Sequence, residues 1–156
     1  MYALRALPMF ALLLCSAACG ADPALTQARS TLTSATSVVA DLDARTAHGP
    51  SGLGPDVPAR LAEPANATQW EALQASLAAA SRRTDEASVA LDLWEGDDTG
   101  DLAWRTIVPC LAQELAEVRV HLEALGVPTS VDFDQALALT SSSGERCGTR
   151  TPPVEH

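Results

Sequence analysis

The sequence predicts an all-α protein: three long amphipathic helices plus a short fourth in an up-and-down bundle. Three observations carry that prediction. Apolar residues recur at alternating spacings of three and four along three separate stretches, the period of one helical face. Ala, Leu and Val are abundant while aromatics make up only 4% of the chain, a composition that favours helices over sheets. Proline and glycine clusters separate the stretches and mark where each helix must stop.

The first helix starts at Asp22 or Pro23 and runs to Thr46. Asp22 caps it, and Pro23 sits at the first helical position, where a missing N–H costs nothing. Its seam is Leu25, Ala28, Leu32, Ala35, Val39 and Leu42; the intervening Ser and Thr weaken the helix, so it needs tertiary packing to persist. Residues 47–67 hold Gly49, Pro50, Gly52, Gly54, Pro55, Pro58 and Pro64 and read as a linker with one helical turn around Ala59–Glu63. A structureless linker of this length inside a compact domain implies a function or disorder. It also leaves open how the first helix runs against the second.

The second helix opens with Thr68 as cap and Glu71 three residues on, and ends at Gly96. Trp70, Leu73, Leu77, Ala80, Thr84, Ala87, Leu91 and Trp94 form its seam, with Arg82, Arg83, Asp85 and Glu86 on a solvated face. A third helix spans Asp101–Leu125, its seam Trp104, Val108, Leu111, Leu115, Val118, Leu122 and Leu125. Pro109 predicts a kink near its first turn or a helix restarting there. The strip Ala112, Ala116, Val120 and Ala124 predicts contact on a second face, making this the most buried element. Gly126-Val127-Pro128 stops it. The short fourth helix, Ser130–Thr140, offers Val131, Phe133, Leu137 and Ala138 to the core. The chain thus divides into residues 1–18, 19–46, 47–67, 68–140 and a polar tail, 141–156.

Met1–Arg5 carries one positive charge, and Ala6–Leu14 follows as an apolar run interrupted by Pro8. The run falls short of the about 20 residues a membrane span needs. It closes in Leu12-Leu13-Leu14-Cys15-Ser16-Ala17-Ala18-Cys19-Gly20. This end resembles the signal of bacterial lipoproteins, in which small residues precede a cysteine that becomes lipidated and N-terminal. Cys19, after Ser16-Ala17-Ala18 and before Gly20, matches that pattern; Cys15, directly after Leu14, fits poorly. Ser16 departs from it, since leucine is usual there. The resemblance implies a signal peptide over residues 1–18, lipidation at Cys19, and a protein anchored by lipid to a membrane of the bacterial cell envelope. Cleavage at an Ala-x-Ala-like site would instead release a soluble secreted or periplasmic protein.

Residues 19–156 hold all 20 acids and nine of the ten arginines, a formal charge of −11, with no lysine. An acidic chain without a basic stripe excludes nucleic acid as the expected partner, because phosphate neutralisation supplies most of that affinity. It would also be repelled by anionic lipid, so a membrane-bound form depends on the covalent anchor. With Cys15 lost in the signal and Cys19 lipidated, Cys110 and Cys147 remain as a candidate disulfide in an oxidising compartment. The bridge would close a loop of about 38 residues, worth on the order of 4 kcal/mol in the chain-entropy picture, and would pin the tail to the third helix. Two unpaired thiols are the alternative.

Glu114, Glu117 and His121 fall within about 60° of one another on the third helix, on the flank of Cys110. Bundles that bind metals use inward Glu and Glu-x-x-His pairs from several helices. Here no second helix repeats the pair, so a Glu–His contact at helical spacing is the first reading and a metal ligand set the second. Glu95, Asp97, Asp98 and Asp101 crowd the turn between the second and third helices and could offer oxygens to Ca²⁺. Their spacing is not that of an EF-hand, and helix capping and solvation explain them first. Ser51 near His48 lacks the G-x-S-x-G context of a nucleophile, and Asn66-Ala67-Thr68 is simply the approach to the second helix. Trp94 and Trp104 should meet at one end of the bundle, with Trp70 at the other. No haem, Walker or zinc spacing is present and no methionine follows the signal, so no cofactor is expected. The functional expectation is a non-catalytic envelope lipoprotein with a binding or structural role and an unspecified protein partner in the envelope. The alternative is a soluble secreted bundle that binds a small ligand or metal ion.

Overall fold

The Asp22 carboxylate accepts a hydrogen bond from the Ala24 amide at 2.9 Å, and Pro23 opens the first helix, α1 (Pro23–Thr46). The structure, a computed structural model, describes residues 22–96, 99–142 and 146–148. Further helices are α2 (Val57–Leu61), α3 (Gln69–Gly96), α4 (Thr99–Ala124) and α5 (Val131–Ser141). The described residues contain no strand. Helix α1 packs on α3, α3 on α4, α4 on α5 and α5 back on α1, which closes a four-helix ring.

Direction follows from which ends meet. Arg29, near the start of α1, pairs with Glu95 at the end of α3 at 2.7 Å, so these helices are antiparallel. One groove joins Ala24 and Ala28 of α1, Trp94 of α3, Trp104 of α4 and Leu139 of α5. The start of α1, the end of α3, the start of α4 and the end of α5 therefore share one end of the bundle, here the upper end. The topology is up-down-up-down.

Residues 47–67, expected to be functional or disordered, are folded. They form two 3-10 turns, Pro50–Gly52 and Pro64–Asn66, on either side of α2, which begins two residues ahead of the predicted turn. Because α1 ends and α3 begins at the lower end, the linker crosses that end instead of running along the bundle. Leu53 and Val57 drop into the core beneath it, and the Arg45 guanidinium donates to the Leu53 carbonyl at 3.2 Å. Removing two large apolar groups from water is what offsets the entropy of ordering so proline- and glycine-rich a segment.

All three predicted seams face inward, but the second strip on α4 does not: Val120 is 61% exposed and Ala116 is exposed. In a ring of four, each helix touches its neighbours along the flanks of one seam, and small alanines a turn apart exert little pull towards burial. Val131 on α5 is likewise turned out, 82% exposed, and Ala138 is exposed. The buried positions there are Phe133, Ala136 and Thr140, with Leu137 packed beside them. Their three-and-four spacing counts from Phe133, three residues after the Ser130 cap, whose hydroxyl accepts from the Phe133 amide at 3.1 Å. Helix α4 runs without a break through the buried Pro109. It ends in a Schellman turn: Val127 N–H donates to the Leu122 carbonyl at 2.8 Å and Gly126 N–H to that of Glu123 at 2.9 Å, with Gly126 at φ +67°.

Cys110 and Cys147 are disulfide-bonded, their Cα atoms 4.5 Å apart, so the segment after α5 is tied to α4. Opening that link frees a long loop in the unfolded chain, and Cys147→Ser should lower stability by about 2–4 kcal/mol in denaturant titrations. A second outcome runs against helix propensity. A Cβ on Gly100 would collide with the amide nitrogen of Trp94 and the carbonyl oxygen of Ala90, both backbone atoms of α3, whereas one on Gly96 meets nothing. Propensity alone favours alanine at either site. Gly100→Ala should nevertheless destabilise by about 1–3 kcal/mol, while Gly96→Ala stays near neutral in the same thermal melts.

Candidate functional site

The core is not evenly distributed. Its contiguous cluster draws Val38, Val39 and Leu42 from α1, Leu73 and Leu77 from α3, Leu111 to Leu125 from α4 and Phe133 from α5, all towards the lower end. The upper half buries Leu91 and Val108 among smaller groups: Ala28, Thr31, Thr84, Ala87, Ala90 and Thr140. Each of these threonines turns its hydroxyl back onto its own helix, Thr31 to the Gln27 carbonyl (3.0 Å), Thr84 to Ser81 (2.7 Å) and Thr140 to Ala136 (3.0 Å). A hydroxyl satisfied within its own helix needs no partner across the interface.

Small side chains leave space, and an open groove of about 290 Å³ lies at the upper end. Trp94 and Trp104 flank it with ring centroids 6.4 Å apart and planes inclined at 47°, the meeting predicted from their positions on either side of the turn. Its floor is Ala28, Thr31, Val108 and Leu139, and its rim carries Asp101 and Arg105, paired at 2.9 Å. The arrangement is an apolar trough with a charged edge. Two large apolar side chains on either side of the α3–α4 turn are exposed, Leu93 at 50% and Leu102 at 61%. Sequence reasoning missed both, because Leu93 is off the α3 seam and Leu102 off the α4 seam; two leucines off-seam around one turn were the available signal.

A smaller hollow of about 170 Å³ at the lower end brings Asp41 and Asp132 near Arg45. The Arg45 guanidinium already lies 3.7 Å from Asp41 and donates to the Leu53 carbonyl, so it is not aimed at a ligand.

On α4, His121 and Glu117 take separate partners. Nδ1 of His121 lies 2.7 Å from Oε1 of Gln69; an amide oxygen only accepts, so this contact puts the proton on Nδ1 and ties α4 to α3. Glu117 accepts instead from Gln113, at 3.3 Å. Among the described residues no three His, Cys, Asp or Glu side chains, Glu114 included, are placed to hold a metal ion. Cys147 is tied at Cys110, eleven residues or about 16 Å along the helix from His121. Of the acidic turn, Glu95 is held by Arg29 and Asp101 by Arg105, while Asp97 and Asp98 lie outside the described residues, as does Cys19. Ser51 Oγ points to the backbone carbonyl of His48 at 3.5 Å, not to its ring. Among the described residues one titratable group is clearly perturbed: Arg119 is raised above its ordinary value, first by donating to Glu123 at 2.8 Å and by that carboxylate's charge, then by Asp134. Its link to Asp134, at 3.8 Å, bridges α4 and α5. The guanidinium stays charged at working pH, so the contact is a structural tie.

Comparison of the chain with protein-family models, curated proteins and solved structures finds no match. Titration of Zn²⁺ into the protein should give no saturable heat, and His121→Ala should leave that calorimetric trace unchanged; saturable binding lost in the variant would restore the metal reading.

Proposed function

We propose that this chain is a membrane-anchored envelope lipoprotein whose helical bundle has a non-catalytic binding or structural role. One observation carries the reading: the lipoprotein-like signal ends at Cys19, and α1 starts at Pro23, so a lipid on Cys19 would hold the bundle directly against a membrane. The composition supports it, since a strongly acidic chain gains nothing from anionic lipid by charge alone and depends on covalent attachment to stay there. Among the described residues no helix is long and apolar enough to cross a membrane.

A second reading, a secreted bundle that takes up a small apolar ligand, is favoured by the groove between Trp94 and Trp104. The two separate on processing. Intact-mass measurement of the membrane fraction should show a chain beginning at Cys19 with added acyl mass, and Cys19→Ala should shift the protein to the soluble fraction. Retention of the variant in membranes to the wild-type level removes the anchor reading, and a melting shift with added fatty acid then favours the second.

A further inference from the structure

Helix α4 carries a stripe that the bundle does not use. Counting back from Cys110 by threes and fours gives Ile107, Thr106, Ala103, Leu102 and Thr99, all on one flank of the helix. These five line an open hollow of about 320 Å³, and among the described residues α4 alone contributes to it. Leu102 is 61% exposed there and Thr106 is exposed, while Ala103 and Ile107 are half-buried. Cover exists only at the lower limit of the stripe. Pro109 and Cys110 stand off the inner seam and are nevertheless buried. At Cys110 that cover is Cys147, whose Cα lies 4.5 Å away. Below Cys110 the same flank turns polar, through Gln113, Glu114, Glu117 and His121.

The chain leaves Cys147 on this flank. Gly148, at φ +79°, turns it, in a conformation that glycine adopts without steric penalty. Residues 149–156 lie outside the described residues; they read Thr149-Arg150-Thr151-Pro152-Pro153-Val154-Glu155-His156. From Cys147 to Pro152 the chain spans at most about 18 Å. Leu102 lies about 12 Å above Cys110 along α4. The tail therefore reaches the hollow with slack. Its apolar groups stand together as Pro152, Pro153 and Val154, and only the upper part of the stripe offers them an apolar surface. Consecutive prolines hold an extended conformation before they dock, so docking orders little. They also bring no backbone N–H to bury against a helix whose own amides are already paired.

We infer that the chain's own C-terminal segment, through Pro152, Pro153 and Val154, folds back along α4 and covers the hollow between Leu102 and Ile107. The Cys110–Cys147 bond is the tie that holds it there. This docking goes beyond the anchor reading and does not depend on it. A short tether raises the local concentration of the segment to the millimolar range, so a contact too weak for a free peptide suffices. Opening the disulfide removes that advantage. The nearest fixed point then becomes the end of α5 at Ser141, eleven residues before Pro152, and the effective concentration falls with the longer tether. The cover on α4 is thus coupled to the redox state of the cysteine pair.

Ile107 is the chain's one isoleucine, so a carbon-13 label on its δ1 methyl gives a single NMR resonance from the hollow. In the purified protein with its disulfide closed, that methyl should show nuclear Overhauser cross-peaks to Pro152, Pro153 or Val154, unchanged on dilution. Pro152→Asp/Val154→Asp should abolish the cross-peaks and move the resonance to its position in a chain ending at Gly148. Reduction, or Cys147→Ser, should abolish them as well. Should Cys147→Ser fail to fold, the chain ending at Gly148, which keeps the disulfide, decides by itself. A methyl resonance identical in the wild type and the shortened chain overturns the docking. So does a resonance that moves with protein concentration and shows no cross-peak to the tail, which assigns the face to a second copy. Cross-peaks that survive reduction overturn the disulfide as the tie.

Discussion

Everything in this bundle leans on the seam between α3 and α4. Leu73 and Leu77 face Leu111, Leu115, Val118 and Leu122, all at most 2% exposed, and this is the longest interface in the molecule. Burial of that many large aliphatic groups supplies most of the driving force available to a chain so poor in aromatics. Close approach at its upper end requires Gly100, where any side chain would strike the α3 backbone. Once the hairpin is set, α1 and α5 have only one trough each in which to lay their apolar stripes.

Concentrating large side chains low in the bundle has a consequence at the top. Alanine and threonine there bring helices together without filling the axis, and the groove between Trp94 and Trp104 is the space left over. The disulfide compensates from outside. Cys110 lies on α4 between the large-residue core and the tryptophans, and its bond to Cys147 ties the segment beyond α5 to that weaker half. Surface ion pairs add little to stability, being exposed. Their contribution here is registration: Arg29–Glu95 sets α1 against α3, and Arg119–Asp134 sets α4 against α5.

Much of this was legible in the residues. Seams with a three-and-four period located α1, α3 and α4 and assigned their inner faces, because burial follows periodicity whenever large side chains recur on one stripe. Asp22-Pro23 and Gly126-Val127-Pro128 marked helix ends through local geometry that needs no tertiary partner. The pairing of Cys110 with Cys147 followed from count and compartment. Readings that rested on weak local signals fared worse. The alanine strip of α4 faces water around Val120, Val131 misplaced the inner face of α5, and His121 meets Gln69 of α3 while Glu117, expected as its helical partner, accepts from Gln113.

Sequence by itself determined the three long helices, their inner faces, the existence of the fourth helix and the end where the tryptophans meet, since each depends on residues near one another along the chain. Tertiary structure alone decided that residues 47–67 cap the lower end, that α1 runs antiparallel to α3, and that the start of α1 comes to share one groove with Trp94 and Trp104. Those are relations between surfaces distant in sequence, set by which packing buries the most apolar area, and no local period encodes them.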